Sequence, residues 1–205
     1  MEFLKYGLLS LIMVISTAGI SQNDEEILTA FTKSYEFEAD GKYTEAISVL
    51  KSVYSEEMYE VNLRLGWLNY MAGLFNESIP YYEKCIELKP LSIEARFGLT
   101  YPTSAMGNWT QTENAYNEIL EIDPQNSTAL YRIGSIYYGK EDYQTALKYF
   151  EKVLNLYPFD FSSINMTAWT YYQLGEFRKA EVLFKKLLLN DPDNELAIEG
   201  LSLIK

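Results

Sequence analysis

Cys85 is the only thiol in these 205 residues, and histidine is absent altogether. Those two facts remove most catalytic constellations. Without histidine there is no imidazole to move a proton at neutral pH, to activate a serine or thiol, or to hold a metal. One cysteine cannot close an internal disulfide or complete a thiolate metal site. Nothing near Cys85 in sequence would lower its pKa, which marks a packed thiol rather than a nucleophile. Carboxylates are plentiful, but Glu56 with Glu57, and Glu118 with Glu121, read as solvated helix faces. The glycines recur at turn and helix-packing positions and build no phosphate loop. The expectation is a chain that is not an enzyme, with no metal and no cofactor. What remains is aromatic: 18 Tyr, 10 Phe and 3 Trp, residue types favoured as binding anchors.

The elements that must position those rings show in one stretch, residues 127–160. Leu130, Ile133, Gly134 and Tyr137 fall at i, i+3, i+4 and i+7, one stripe of a helix. Tyr143, Ala146, Phe150 and Val153 form a second stripe, and residues 139–142 break the pattern between them. Pro158 closes the unit, because it cannot continue a helix interior. Small residues at Gly134 and Ala146 let the two helices approach closely. The unit recurs: Pro90, Pro124, Pro158 and Pro192 are each 34 residues apart, as are Gly73, Gly107, Glu141 and Gly175. Two residues after each of the second set stands an aromatic: Phe75, Trp109, Tyr143 or Phe177. Gly41 and Tyr43 repeat the turn at a spacing of 32, an earlier and shorter copy. A fixed period with unlike residues between is the signature of a solenoid.

The unit resembles the tetratricopeptide repeat (TPR). Gly134, Tyr137, Tyr143, Ala146, Phe150 and Pro158 match that family's pattern, with Val153 in place of a second Ala. The likeness covers residues 27–194 and implies an all-α, right-handed superhelical solenoid of about five TPR helical hairpins. Their bounds are 27–58, 59–92, 93–126, 127–160 and 161–194. Residues 195–205 then form a C-terminal capping helix, with Asp193 or Asn194 as its N-cap. The first repeat is degenerate: Ser34 replaces the glycine found at Gly66 and Gly134, and no proline ends it. The third is the least regular of the complete repeats. Pro102 is predicted to fall midway along its first helix, forfeit the bond to the Gly98 carbonyl and kink the helix at ~3 kcal/mol. Thr112 stands where the second helix usually has Ala.

In this family the first helices of successive repeats line a concave groove. Counting by that resemblance places Leu63, Trp67, Tyr70 and Met71 there, then Phe97, Tyr101 and Ser104. Tyr131, Ser135 and Tyr138 follow, then Asn165, Trp169 and Tyr172. Tyrosine is frequent at several of these positions in the family, and packing between helices is the competing account of the rings. Trp67, Tyr101 and Trp169 occupy a position that is usually polar. The family's clamp for C-terminal carboxylates is missing, since Leu63, Phe97, Tyr131 and Asn165 stand at the position of its Lys, and Trp67, Tyr101, Ser135 and Trp169 at that of its Asn. Arg64 and Arg132 lie at the groove edge, within reach of a ligand backbone or carboxylate.

The expected function is therefore that of a non-catalytic scaffold binding a protein or peptide ligand in a concave aromatic groove. One alternative is a self-assembling structural subunit that stacks through the convex face or the ends into a homo-oligomer, and another is a carbohydrate-binding module. The net charge of −12 disfavours nucleic acid and anionic membrane surfaces. Residues 1–21 have the form of a signal peptide: Lys5, an apolar run from Gly7 to Ile20, small residues, then an abruptly polar segment. An N-terminal anchor over residues 4–20 is the competing reading, with membrane contact only through that segment if it is uncleaved. Export to a bacterial periplasm, or secretion, follows, with other envelope proteins as partners and a role in envelope assembly or complex organisation. Sequons at Asn76, Asn108, Asn126 and Asn165 read as coincidence in a chain rich in Asn, Ser and Thr.

Overall fold

The computed structural model describes residues 22–204, so the leader read over residues 1–21 lies outside the described residues. Eleven helices follow one another among the described residues. They are α1 (Gln22–Ala39), α2 (Tyr43–Lys51), α3 (Tyr59–Met71), α4 (Phe75–Leu88), α5 (Ile93–Ala105) and α6 (Trp109–Ile122). After these come α7 (Ser127–Gly139), α8 (Tyr143–Leu156), α9 (Phe161–Gln173), α10 (Phe177–Asn190) and α11 (Glu195–Leu203). Each odd-numbered helix up to α9 packs antiparallel on the next to make a hairpin, and each hairpin packs on its neighbours. The result is an all-α right-handed solenoid, with α11 closing over α9 and α10.

The turn inside each hairpin is built the same way five times. A residue at positive φ follows the first helix: Gly41, Gly73, Gly107, Glu141 or Gly175, with φ between 62° and 75°. Its N–H bonds back to the last turn, and the next N–H reaches one residue further. Gly73 N donates to Tyr70 O at 2.9 Å and Leu74 N to Asn69 O at 2.8 Å. These are two of the carbonyls a helix end would otherwise leave unsatisfied. Between hairpins the device is an N-cap two residues after proline. Ser92, Asn126, Asp160 and Asn194 accept from Ala95, Ala129, Ser163 and Ala197 at 2.8–3.1 Å. The cap expected for the last helix is thus Asn194. Asn108 and Asn126, the residues of two sequons, are both spent as helix N-caps.

Packing inside the stack turns on rings lying against bare backbone. A methyl group on Gly134 would sit 2.7 Å from Phe150 Cε1, and one on Gly98 only 2.1 Å from Tyr82 Cε1. Phe150, Phe184 and Cys85 are fully buried. Burial pushes the Cys85 thiol up to about 12, so it is protonated and inert at neutral pH. Thr112 keeps its place in the core because its hydroxyl bonds to Thr103 Oγ1 at 2.9 Å and to the Asn108 carbonyl at 3.0 Å.

The expectation for Pro102 needs correction. Helix α5 runs through it without interruption to Ala105, and Met106 N donates to Pro102 O at 3.0 Å. Pro102 lies in the last turn, not midway, so the missing N–H costs a single bond close to the helix end. Helix α1, for its part, begins at Gln22, ahead of the repeat boundary read at residue 27.

Candidate binding groove

Of the residues singled out for the groove, Leu63, Arg64, Trp67, Tyr70, Phe97 and Tyr101 come together on α3 and α5. Tyr70 and Tyr101 stack with ring centroids 5.4 Å apart. Trp67 meets Tyr101 edge-on at 5.9 Å and Tyr70 at 5.7 Å. Beside them Leu63, Arg64, Trp67, Phe97 and Tyr101 line a groove of about 1080 Å3. Phe31 and Tyr35 of α1 form its far wall; no helix-by-helix count from residue 59 onward could include them. Tyr101 is 44% exposed at the groove floor. Helices α3 and α5 lie side by side, and Gly98 on α5 gives the Tyr82 ring room between them.

Arg64 is committed within the chain. It is 8% exposed, with Nη1 2.6 Å from Glu38 Oε2 and Nε donating to Ser34 Oγ at 3.2 Å. The guanidinium lies 3.8 Å over the Tyr35 ring, a cation–π contact. Its Nη2 is buried without a hydrogen-bond partner. Trp67 shares the same carboxylate, Nε1 donating to Glu38 Oε1 at 2.5 Å. One acidic side chain on α1 therefore holds both a cation and an indole of α3.

Tyr131, Tyr138, Trp169 and Tyr172 sit with their own hairpins. Tyr131 packs on Phe150 at 5.6 Å and Tyr138 on Tyr143 at 5.2 Å. Burial raises the phenol pKa of both. Trp169 meets Phe184 at 5.1 Å and Tyr172, and Tyr172 meets Phe177 at 5.5 Å. The contact between a first-helix tyrosine and the aromatic opening the second helix recurs at Tyr70–Phe75, Tyr138–Tyr143 and Tyr172–Phe177. Arg132 is exposed on α7. It lines a separate cavity of about 610 Å3 that shares Phe97 and Tyr101 with the groove. Among the described residues no cluster of His, Cys, Asp and Glu could hold a metal ion. No described helix is long and apolar enough to cross a membrane.

The family model for the EMC2 TPR-like repeat domain matches residues 85–200, more than half of the chain, and the tetratricopeptide repeat model matches residues 59–90. The chain belongs to the tetratricopeptide-repeat family. Among curated relatives, anaphase-promoting complex subunit 7 of Arabidopsis thaliana is 25% identical over 153 residues, covering 72% of this chain and 27% of that protein. The chain spans less than half the length of the curated relatives it matches. Among solved structures, a TPR protein of Parabacteroides merdae superposes with a TM-score of 0.75 at 21% identity, over 88% of this chain and 72% of the other. MamA protein superposes with a TM-score of 0.71 at 21% identity, over 82% of this chain and 93% of the other. At such identity these TPR structures share the fold.

Proposed function

We propose that this TPR chain is an exported, non-catalytic scaffold that receives a peptide or protein segment in the groove between α1, α3 and α5. One observation carries the reading: the Trp67–Tyr70–Tyr101 cluster leaves Tyr101 exposed on the floor of a groove walled by further aromatics. Rings held in place by other rings lose little freedom on binding, so their burial against a partner's apolar side chains is largely net gain. The groove also carries Glu60, Lys89 and Glu94 at its rim, polar groups that set register rather than affinity. Trp169 and Tyr172 extend the surface along the solenoid in this proposal. The leader read over residues 1–21 supports placement in a bacterial periplasm or outside the cell, where envelope proteins are the candidate partners.

A phage-displayed peptide library panned on the purified protein tests the groove. Selected peptides should lose about tenfold or more in affinity for the Trp67→Ala, Tyr101→Ala double variant, the loss of one to two aromatic anchors. Far-ultraviolet circular dichroism should stay unchanged. Trp169→Ala reports separately on the C-terminal half. Peptides that bind wild type and double variant equally would move the site off this groove. Export is tested by the intact mass of protein isolated from its native host, which should correspond to a start at Gln22.

A further inference from the structure

The cavity of about 610 Å3 lies between α5, α6 and α7, one step along the solenoid from the peptide groove. Its charged lining residues are both cations, Arg132 and Lys140, in a chain of net charge −12. Lys140 already pairs with Glu113 at 2.7 Å. Arg132 forms no ion pair among the described residues. Phe97, Tyr101, Trp109, Tyr116 and Ile136 supply apolar walls around it.

The repeat register shows what Arg132 lacks. Counted back from the turn residues Gly73 and Glu141, Arg132 and Ser135 occupy on α7 the places of Arg64 and Trp67 on α3. Counted back from Gly41 and Gly107, Thr100, Tyr101 and Ser104 occupy on α5 the places of Ser34, Tyr35 and Glu38 on α1. All five of these α5 and α7 residues line the cavity. At the α1–α3 junction the cation, the hydroxyl, the stacking ring and the carboxylate are all present, and Glu38 joins Arg64 to Trp67. At the α5–α7 junction the cation, the hydroxyl and the ring are kept, but Ser104 stands where the carboxylate was.

We propose that this cavity binds a small carboxylate with a ring-sized apolar body, its carboxylate taking at Arg132 the place that Glu38 fills at Arg64. The volume falls in the range of small-molecule sites, and planar guanidinium is suited to bidentate carboxylate recognition. The neighbouring hydroxyls do not compete as donors. Thr100, Ser104 and Ser135 each donate to a carbonyl of their own helix, those of Phe97, Tyr101 and Tyr131, at 2.7, 3.0 and 2.9 Å. Recognition of the anion therefore falls on Arg132, and the apolar body packs against Trp109 and Tyr116 on the α6 side. This inference does not rest on the peptide groove.

Calorimetry of the full chain with naphthalene-1-acetate and its neutral isostere naphthalene-1-acetamide tests it. The acid should bind about tenfold or more tighter than the amide, the worth of a charge-assisted contact. Arg132→Gln should bring the acid down to the level of the amide and leave the amide unchanged. Ser104→Glu, which returns a carboxylate to the chain, should weaken the acid in the same way while keeping the protein folded. Both substitutions should leave peptide binding at Trp67 intact. Equal affinity for the two probes, no measurable binding of either, or acid binding that survives either substitution would overturn the proposal.

Discussion

Glu141 occupies the left-handed region at φ 62°, where four equivalent turns use glycine. A side chain in that conformation costs about 1–2 kcal/mol, and glycine would remove most of it while adding freedom to the unfolded chain. Glu141→Gly should therefore raise stability by about 0.5–1 kcal/mol, read as a higher urea midpoint with an unchanged slope. The turn was legible at Glu141 even without a glycine, because the 34-residue spacing marks the position whatever residue fills it. Arg64 was not legible in the same sense. Its type and place suggest an arm at the groove edge, yet its partner Glu38 belongs to the preceding repeat, and no local pattern links the two. Nor could spacing show that Trp67, Tyr70 and Tyr101 touch one another, since that depends on how closely α3 and α5 approach.

At the scale of helices, α6 and α7 are tied through one carboxylate. Glu113 accepts from Tyr137 Oη at 2.5 Å and from Lys140 Nζ at 2.7 Å. Burial works against its ionisation, but those two hydrogen bonds hold the carboxyl below its ordinary value of 4.5. On the other side of the contact, the bond to Glu113, with burial, pushes the Tyr137 phenol up to about 12. For a carboxyl depressed on folding, the stabilisation is full above the ordinary value and is lost as pH falls through the lower folded value. Urea titrations between about pH 6 and pH 3 should show wild type losing stability on acidification relative to Glu113→Gln. The converse, an unchanged difference across that range, would remove Glu113 as the acid-sensitive tie. Helix α5 shows where reading elements from sequence stops. The helix and its proline were both evident, but whether Pro102 breaks it depends on its distance from the helix end, and helix ends are set by the turn that follows.

Across the whole molecule, each hairpin is stabilised by its neighbours, so the fold's stability is a sum over successive interfaces. At the C-terminal end Gly200 of α11 lies against the Phe184 ring, where a methyl group would come within 2.4 Å of it. Removing residues 195–205 should uncover Phe184 and destabilise the last hairpin by about 2 kcal/mol, the worth of burying one such side chain. Hydrogen exchange would then accelerate in α9 and α10, with α3 and α4 protected as before. Uniform acceleration along the chain would show instead a single cooperative block. The repeat period made this one-dimensional organisation readable from the start, whereas the charge lost between Glu38 and Ser104 acquires meaning only once the junctions are laid over one another. The same arrangement has a mechanical side. Hairpins joined in series carry an equal load when the two ends are pulled apart, so whichever joint between neighbours yields first sets the force at which the molecule starts to lengthen.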